Sequence, residues 1–393
     1  MCSIRSSIRV RKVGQFARLP VCRKKSDKKS LINWLNRLNR KTGEPAKECN
    51  RCVISKYLPM DYQYKIHTNM SHLLEVKDLE VKFALRFGDL TAINGISFAL
   101  DKGERLGIVG ESGAGKSVTG FAIINLLSKP GYISAGQVLF EGQELNRLPE
   151  EDMREIRGNR ISMIFQDPMM TLNPVLTIRT QMVETVLAHE HVSKAGAFDI
   201  ALDKLKKVHI PSPEKRIHQY PHECSGGMRQ RIVVAIALLT NPALIIADEP
   251  TTALDVTIQA EIMDLLQELC ESDKMGLILI THDLAVVSQV TENIAVMYAG
   301  KIVEFGSTQA VIQDPEHPYT QGLIKALPGS LQPGSRLNQI PGMMPTLTDI
   351  PPGCAFHPRC TVSDTVCRRE VPTLISRRDA DRRTPVIWLN RRH

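Results

Sequence analysis

The stretch GESGAGKS, Gly110 to Ser117, constrains the fold of this chain more than any other feature of its sequence. Its glycines, lysine and serine occupy the positions of the phosphate-binding loop pattern. A short apolar run, RLGIV, precedes the loop, and the helical pattern SVTGFAIINLL follows it. Strand, loop and helix in this order present backbone N–H groups and a helix N-terminus to phosphate groups. The sequence therefore predicts an α/β fold with a nucleotide site at this loop.

Within this loop, two side chains have predicted roles of their own. We expect Lys116 to reach the β and γ phosphates of a nucleotide and Ser117 to bind Mg²⁺. The residues predicted to contact the nucleotide here are Gly110, Glu111, Ser112, Gly113, Ala114, Gly115, Lys116, Ser117 and Val118.

Three further apolar runs are typical of parallel strands covered on both faces. They are ISMIF (161–165), ALIIA (243–247) and LILI (277–280). Polar residues follow each run, at the edge where an open α/β sheet places its ligands. These residues are Gln166, Asp248 with Glu249, and Thr281 with His282.

Each of these polar residues suits a step of phosphate chemistry. Asp248 is predicted to hold Mg²⁺, and Glu249 to polarise the attacking water. Gln166 is predicted to link the metal and the water to a moving neighbour, and His282 to hold the γ-phosphate. Taken singly, a glutamine or histidine at a strand end is more often a satisfied surface or core residue.

The formal charge of +8 is concentrated at the start of the chain. Residues 1–69 hold 17 Lys/Arg and 4 Asp/Glu, whereas residues 70–393 hold 33 and 38. A basic leader is typical of a nucleic-acid or membrane-surface arm, or of a targeting peptide. Because it lacks a secretory apolar segment and sustained periodicity, we favour a disordered tail or an upstream translation artefact, with Met70 as the start.

Two classes of protein fit the composition poorly. No apolar run approaches the ~20 residues that span a bilayer, since the longest, IVVAIALL at 232–239, has 8. The nine cysteines are scattered and do not resemble the framework of a small secreted domain, which favours a reducing compartment.

The motifs together resemble the ATP-binding subunits of ABC transporters over about residues 72–330. This family has a phosphate-loop ATPase core with a RecA-like parallel sheet, an antiparallel β subdomain and an inserted helical subdomain. The matching stretches, in family order, are the Walker A loop 110–117, the Q-loop residue Gln166 in FQDP, the signature SGGMRQ (225–230), the Walker B strand LIIADE (244–249), the D-loop ALD (253–255) and the switch residue His282 in ITHD.

The resemblance explains why the chain has a second anion cradle, at the signature. Between Gln166 and Ser225 lie 58 residues with helical patterns at 177–190 and 196–208, which read as the helical subdomain, about 167–240. In the family, two subunits face head to tail and each signature caps the ATP of the other. Ser225, Gly226, Gly227 and the D-loop Asp255 are therefore predicted to contact a partner's nucleotide.

The resemblance also implies an aromatic residue that stacks on adenine. Phe87 lies 23 residues before Gly110, a spacing similar to that of the family's stacking residue, and Phe83 is close enough to compete. We expect Phe87 to be the stacking residue; the alternative for either phenylalanine is an ordinary core residue on a strand.

Four segments resemble the ATPases of dipeptide/oligopeptide importers, a branch that includes nickel and glutathione importers. They are DPMMTLNPVLTI, YPHECSGGMRQR, DPEHPYTQGLIKALP and PPGCAFHPRC. The resemblance implies an ATPase domain at 70–328 and a C-terminal extension at 329–393. It further implies a second ATPase subunit, two membrane permeases, an extracytoplasmic solute-binding protein, no nucleic acid, and a location at the cytoplasmic face of the inner membrane.

In relatives with this extension, cysteines hold an iron–sulfur cluster. Cys354, Cys360 and Cys367 have the spacing C-x5-C-x6-C, but no cysteine follows Cys367 to complete four thiolates. A cluster with another ligand, or zinc held with His357, is one reading. Free thiols in a degenerate extension are the other, which we favour slightly.

Two rival functions share the ATPase core. Non-transport ATPases that act on DNA or ribosomes usually carry a longer insertion or two cassettes in one chain, whereas this chain has one cassette. A regulatory binder that holds ATP without turnover is not indicated, because Lys116, Glu249 and His282 are all present.

Overall fold

The computed structural model describes residues 72–167, 171–252, 255–327, 339–376 and 382–385. The predicted basic extension, residues 1–69, lies outside this range. In the described part of the chain, no helix combines the length and apolar character needed to cross a bilayer.

Two sheets organise the described residues. One has four strands in the order β2-β1-β4-β5, and the other has eight in the order β11-β12-β10-β9-β3-β8-β7-β6. In chain order the strands are β1 (Leu74–Leu85), β2 (Gly88–Leu100), β3 (Arg105–Val109), β4 (Gly131–Phe140), β5 (Gln143–Glu144), β6 (Ile161–Ile164), β7 (Leu244–Asp248), β8 (Gly276–Thr281), β9 (Asn293–Tyr298), β10 (Lys301–Ser307), β11 (Leu374–Ser376) and β12 (Arg382–Pro385).

Ten α-helices are assigned within the described residues. They are α1 (Lys116–Ile123), α2 (Glu150–Ile156), α3 (Ile178–His189), α4 (Lys194–Lys207), α5 (Pro213–Arg216), α6 (Gly226–Ala237), α7 (Val256–Asp273), α8 (Leu284–Val290), α9 (Thr308–Gln313) and α10 (Pro318–Lys325).

The centre of the large sheet is parallel, as its apolar runs predicted. Strands β3 and β8, β7 and β8, and β6 and β7 pair in parallel, and every residue of β7 and β8 is buried. Val109 pairs with Thr281, and Asp248 pairs with Ile280. The carboxyl ends of β3, β7 and β8 are thus aligned, and the residues that follow them meet at one edge.

The antiparallel sheet covers the start of the core. Strands β1 and β2 form a hairpin closed between Leu85 and Gly88, and β4 pairs with the other edge of β1. Gly88 has φ +128°, a conformation that favours glycine at the turn. This sheet supplies one wall of the nucleotide cavity described below.

The helical patterns at 177–190 and 196–208 form α3 and α4. Thr177 and Ser193 cap them, each accepting a hydrogen bond from a backbone N–H three residues ahead. Buried side chains on both helices, together with α6, make the core of this part. The predicted helical patterns therefore form helices that pack against one another.

The helix after the phosphate loop is shorter than its apolar pattern predicted. It ends at Ile123, whereas the pattern extends to Leu127. Asn125 adopts φ +49°, which breaks the helix, yet Ile124 is 4% exposed and Leu127 packs on the core. The apolar pattern there reflects burial of a non-helical segment.

The C-terminal region packs on the outer part of the large sheet. Strand β12 pairs antiparallel with β10, and β11 pairs with β12. An aromatic cluster of Tyr298, Tyr319 and Phe356 joins β9, α10 and the C-terminal region, with ring centroids 4.7–5.4 Å apart. These contacts bring residues 339–360 to the phosphate loop.

Candidate nucleotide-binding site

The phosphate loop connects β3 to α1, and its backbone approaches neighbouring strands closely. At Gly110, a Cβ atom would lie 2.3 Å from the carbonyl oxygen of Met297. Gly115, the N-cap of α1, has φ +102°, and a Cβ there would lie 2.7 Å from Ile93. Glycine is therefore required at both positions for the loop to close around an anion.

Lys116 is a buried cation within this loop. Its side chain is 6% exposed, and Nζ donates to the carbonyl oxygens of Gly110 (2.9 Å) and Glu111 (3.1 Å). Nζ also lies 3.9 Å from Oε1 of Glu249. Burial lowers the pKa of Lys116, and the nearby carboxylates oppose that shift. An anionic phosphate in the loop would stabilise the charged ammonium further.

Ser117 and Asp248 form a pair of oxygen donors beside the loop. Ser117 Oγ donates to Asp248 Oδ1 at 2.9 Å, and Asp248 is 3% exposed. Burial raises the pKa of Asp248, because its charge is poorly solvated. A hydroxyl and a carboxylate are hard oxygen ligands of the kind Mg²⁺ binds together with phosphates and water. These two residues therefore fit a magnesium ion.

Glu249 is the hub of the polar residues at the sheet edge. Its Oε2 accepts from Gln166 Nε2 (3.2 Å) and Thr252 Oγ1 (3.0 Å), and Oε1 lies 3.3 Å from His282 Nδ1. The residue adopts φ +44°, and its N–H donates to the carbonyl of Ile280. Non-glycine residues with a left-handed backbone conformation cluster at functional sites.

Sequence patterns did not predict a role for Thr252 at this site. It follows Glu249 by three residues, and its N–H donates to the Glu249 carbonyl, so one tight turn sets both groups together. The spacing E-P-T-T was the only available signal, and it does not specify where a threonine hydroxyl lies.

One cavity of about 970 Å³ contains most of the predicted residues. Ala114 is 0% exposed, and Asp248 lies behind Ser117; neither is on the wall. The lining residues are Phe83, Leu85, Leu90, Ala92, Gly110, Glu111, Ser112, Gly113, Gly115, Lys116, Ser117, Val118, Gln166, Glu249, His282, Leu323 and Leu347.

The two candidate stacking aromatics, Phe87 and Phe83, lie in different positions relative to the cavity. Phe87 is 74% exposed beside the β1–β2 turn and does not line the cavity. Phe83 does line it. The difference arises because spacing along the chain does not determine on which side of the hairpin tip a ring lies. We therefore transfer the predicted adenine contact to Phe83.

The signature residues lie outside this cavity. Ser225 caps α6, with its Oγ accepting from the Met228 N–H at 3.3 Å, and Ser225 and Gly226 are exposed. A Cβ at Gly227 would lie 3.0 Å from Ile258 of α7. Asp255 caps α7, and its side chain is also exposed. The phosphate loop and the signature of one chain therefore do not share a cavity.

The three C-terminal cysteines lie close in the fold without forming a metal site. Cys354 N–H donates to the carbonyl of Cys367 at 2.8 Å, and burial raises the pKa of the Cys354 and Cys360 thiols. Across the described ranges, no group of three or more His, Cys, Asp or Glu side chains is arranged to hold a metal ion. Within the described part of the C-terminal region, the three cysteines and His357 are therefore not arranged as ligands of one metal ion.

Comparison with known families and proteins agrees with the site. A family described as ABC transporter matches residues 93–252, and one described as Oligopeptide/dipeptide transporter, C-terminal region, matches residues 303–367. Among solved structures, the dimeric MJ0796, a bacterial ABC transporter cassette, is similar with a TM-score of 0.54 and 27% identity, covering 60% of this chain and 98% of that one.

Relatives with assigned roles are more similar still. The oligopeptide transport ATP-binding protein OppD of Bacillus subtilis is 50% identical over 307 residues, which cover 78% of this chain and 86% of that protein. OppD of Escherichia coli is 48% identical, covering 76% and 89%, and the dipeptide transport ATP-binding protein DppD of B. subtilis is 48% identical, covering 81% and 95%. With the phosphate loop, the buried lysine and the Glu249 hub in place, the chain belongs to the ATP-binding proteins of ABC transporters, in the group that carries the oligopeptide/dipeptide transporter C-terminal region.

Proposed function

We propose that this chain hydrolyses ATP to drive import of di- or oligopeptides through a membrane transporter. The observation that carries the proposal is the position of Glu249, whose carboxylate lies on the cavity wall 3.9 Å from the phosphate-loop lysine. The names of the similar OppD and DppD proteins support peptides as the cargo. The matched C-terminal region supports the same group.

Glu249 acts as the base for the attacking water. Its carboxylate is held by Gln166, Thr252 and His282, so its orientation is set before the nucleotide arrives. A carboxylate within hydrogen-bond reach can take a proton from water as the water attacks phosphorus. Lys116 stabilises the phosphate oxygens, and His282, whose side chain is 67% exposed, contacts the γ-phosphate from the open side.

The nucleotide enters as its magnesium complex. Ser117 and Asp248 would hold Mg²⁺, and Gln166 would contact it from the neighbouring strand end. When bound, the ion neutralises charge on the phosphate oxygens. Phe83, on the cavity wall, contacts the adenine.

The working unit is a dimer of ATPase subunits. Ser225, Gly226, Gly227 and Asp255 do not line the chain's own cavity. Ser225, Gly226 and Asp255 are exposed and Gly227 is half-buried, which leaves this surface accessible to the nucleotide of a partner. The similar MJ0796 cassette has been solved as a dimer, including a state bound to ADP and Pi. The partner is a second copy or a related chain.

The domain plan follows from these assignments. Residues 70–328 form the ATPase domain and 329–393 the C-terminal extension. The ABC transporter match at 93–252 lies within the first part, and the C-terminal-region match at 303–367 begins inside it and continues into the second, so the matches support both parts but not the boundary between them. The chain acts at the cytoplasmic face of the membrane, on two permease subunits supplied by other chains. An extracytoplasmic binding protein delivers cargo, and no nucleic acid takes part.

Purification from membranes tests the proposal. Tagged protein extracted in mild detergent should carry permease subunits, and its ATPase activity should rise when peptide-loaded binding protein is added. Co-purification with ribosomes or DNA would instead support the non-transport function. Binding of ATP without any turnover would support the regulatory one. Replacing peptide by nickel or glutathione in the stimulation assay separates the cargo classes.

A further inference from the structure

The second residue of the phosphate loop, Glu111, is held from the C-terminal side of the chain. Its carboxylate accepts two hydrogen bonds from Arg359, Nη1 to Oε2 at 2.9 Å and Nη2 to Oε1 at 3.1 Å. Its N–H donates to the hydroxyl of Tyr319 in α10 at 2.9 Å. Its carbonyl oxygen accepts from Lys116 Nζ. Every polar group of Glu111 is therefore engaged, and one of its partners, Arg359, comes from the C-terminal extension.

Arg359 is built into its position. Its side chain is 7% exposed, and Nε donates to the carbonyl of Pro341 at 2.9 Å. The guanidinium lies 5.8 Å from the ring centroid of Tyr298 and 5.9 Å from that of Phe356. A planar guanidinium can stack on rings and bind a carboxylate with two parallel hydrogen bonds, which an ammonium cannot. The arrangement therefore uses properties particular to arginine.

The same segment reaches the loop and the cavity at two other points. A Cβ atom on Gly113, in the middle of the phosphate loop, would lie 2.9 Å from Cε of Met344, so this methionine covers the loop. Leu347 lines the nucleotide cavity itself. Contacts at Glu111, Gly113 and the cavity wall all originate between residues 341 and 359.

We propose that residues 339–360 are part of the nucleotide site, with Arg359 acting as a positioning residue that holds the phosphate loop through Glu111. The proposal rests on the proposed ATP binding and adds a contribution from the C-terminal extension. Arg359 fixes the direction of the loop's first peptide groups, and Leu347 adds apolar contact with the bound nucleotide. Because Arg359 acts through Glu111, its loss should weaken nucleotide binding more than it slows turnover.

The test compares Arg359→Gln with Arg368→Gln in the full chain. Arg368 is an exposed arginine of the same region, so it controls for loss of a positive charge. A charge-assisted hydrogen-bond pair lost at Arg359 should raise the Kd for ADP and the KM for ATP by about tenfold, with kcat changed by less than about twofold. Arg368→Gln should change neither. Arg359→Lys should recover only part of the affinity, because lysine cannot make both hydrogen bonds.

A double variant tests whether the effect passes through Glu111. If it does, Glu111→Gln combined with Arg359→Gln should weaken binding no more than the more severe single change. Additive losses would contradict this coupling. A lower Tm for Arg359→Gln with unchanged Kd would show a purely structural contact and would overturn the proposal.

Leu347→Ala provides evidence if Arg359→Gln fails to fold. This side chain is partly exposed and lies apart from the ion pair, so the variant should fold and bind ADP about threefold more weakly, as loss of one apolar contact implies. An unchanged Kd in this variant would contradict the proposal. Wild-type protein that binds ATP without hydrolysing it would refute the proposed function instead, and the Kd comparison would still stand.

Discussion

Ser117 Oγ donates a 2.9 Å hydrogen bond to Asp248 Oδ1, joining residues 131 positions apart in the chain. The bond links the start of α1 to the end of β7, the two elements that flank the proposed metal position. It orients a hydroxyl and a carboxylate toward each other before any ion binds. The cost of this arrangement is a carboxylate that is 3% exposed and poorly solvated.

Because the buried charge of Asp248 destabilises the fold, we predict that Asp248→Asn raises thermal stability. Burial raises the pKa of Asp248 above its ordinary value of 3.8, so protonation favours the folded state. The protonated carboxyl of Asp248 contributes its full stabilisation at pH values below 3.8. This stabilisation is lost as the pH rises through the pKa that Asp248 has in the folded state. Asparagine keeps an acceptor for Ser117 without the charge. We expect the nucleotide-free variant to gain about 1–3 °C in Tm over wild type at neutral pH, with less gain near pH 4.

Thermal unfolding at several pH values checks this prediction. Asp264→Asn is the matched control, because Asp264 is exposed on α7. It should show little pH-dependent gain. If Asp248→Asn is less stable than wild type at neutral pH, the destabilising effect of the buried charge is disproved.

Glu249→Gln should nearly abolish turnover while preserving nucleotide binding. The amide keeps the shape of the side chain and can still contact its neighbours, but it cannot take a proton from water. Loss of a general base should reduce kcat by about 10²–10⁴-fold. The variant should accumulate as a nucleotide-bound dimer, measured by size-exclusion chromatography with Mg-ATP. Near-normal hydrolysis would refute the assignment, and Glu268→Gln, an exposed change on α7, should leave kcat unaltered.

Two changes at Ser225 separate its capping role from its proposed contact with a partner's phosphate. Ser225→Ala removes the cap of α6 and should cost about 1 kcal/mol of unfolding free energy. Ser225→Asp keeps a capping oxygen but adds a negative charge. We therefore expect Ser225→Asp to retain stability and monomer nucleotide affinity but to lose ATP-dependent dimerisation. Dimerisation at the wild-type ATP concentration in that variant would contradict the cross-subunit contact.

Phe83→Ala and Phe87→Ala test the proposed adenine contact. Phe83 lines the cavity, whereas Phe87 is 74% exposed. Loss of a stacking ring should weaken ATP binding by about tenfold in Phe83→Ala, since aromatic stacking on a base contributes about 1–3 kcal/mol. Phe87→Ala should bind as wild type does. Fluorescence titration with a labelled nucleotide measures both, and the reverse ranking would restore the original choice of Phe87.

Local patterns in the sequence predicted much of the fold. Buried parallel strands appear as short apolar runs, and β3, β6, β7 and β8 lie within a residue or so of the runs that predicted them. The caps Thr177 and Ser193 mark the starts of two predicted helices. The apolar pattern predicted the end of α1 less well. A buried segment that is not helical can show the same apolar spacing as a buried helix.

The residues of the candidate site likewise fall into those that the sequence predicted and those that only the structure placed. Gln166, Asp248, Glu249 and His282 were found because residues after parallel strands share one edge of a sheet. Thr252 and Phe83 required the folded backbone, since a turn and a hairpin tip determine where their side chains lie.

The sequence by itself determined the phosphate loop, the strands around it and the family to which the chain belongs, because each depends on residues that are close neighbours along the chain. Only the tertiary structure placed Arg359 on Glu111, 248 positions away, and brought Leu347 to the cavity. Such contacts depend on how the sheet and the C-terminal region pack together. Neither periodicity nor spacing records that packing, so it can be read only from the folded chain.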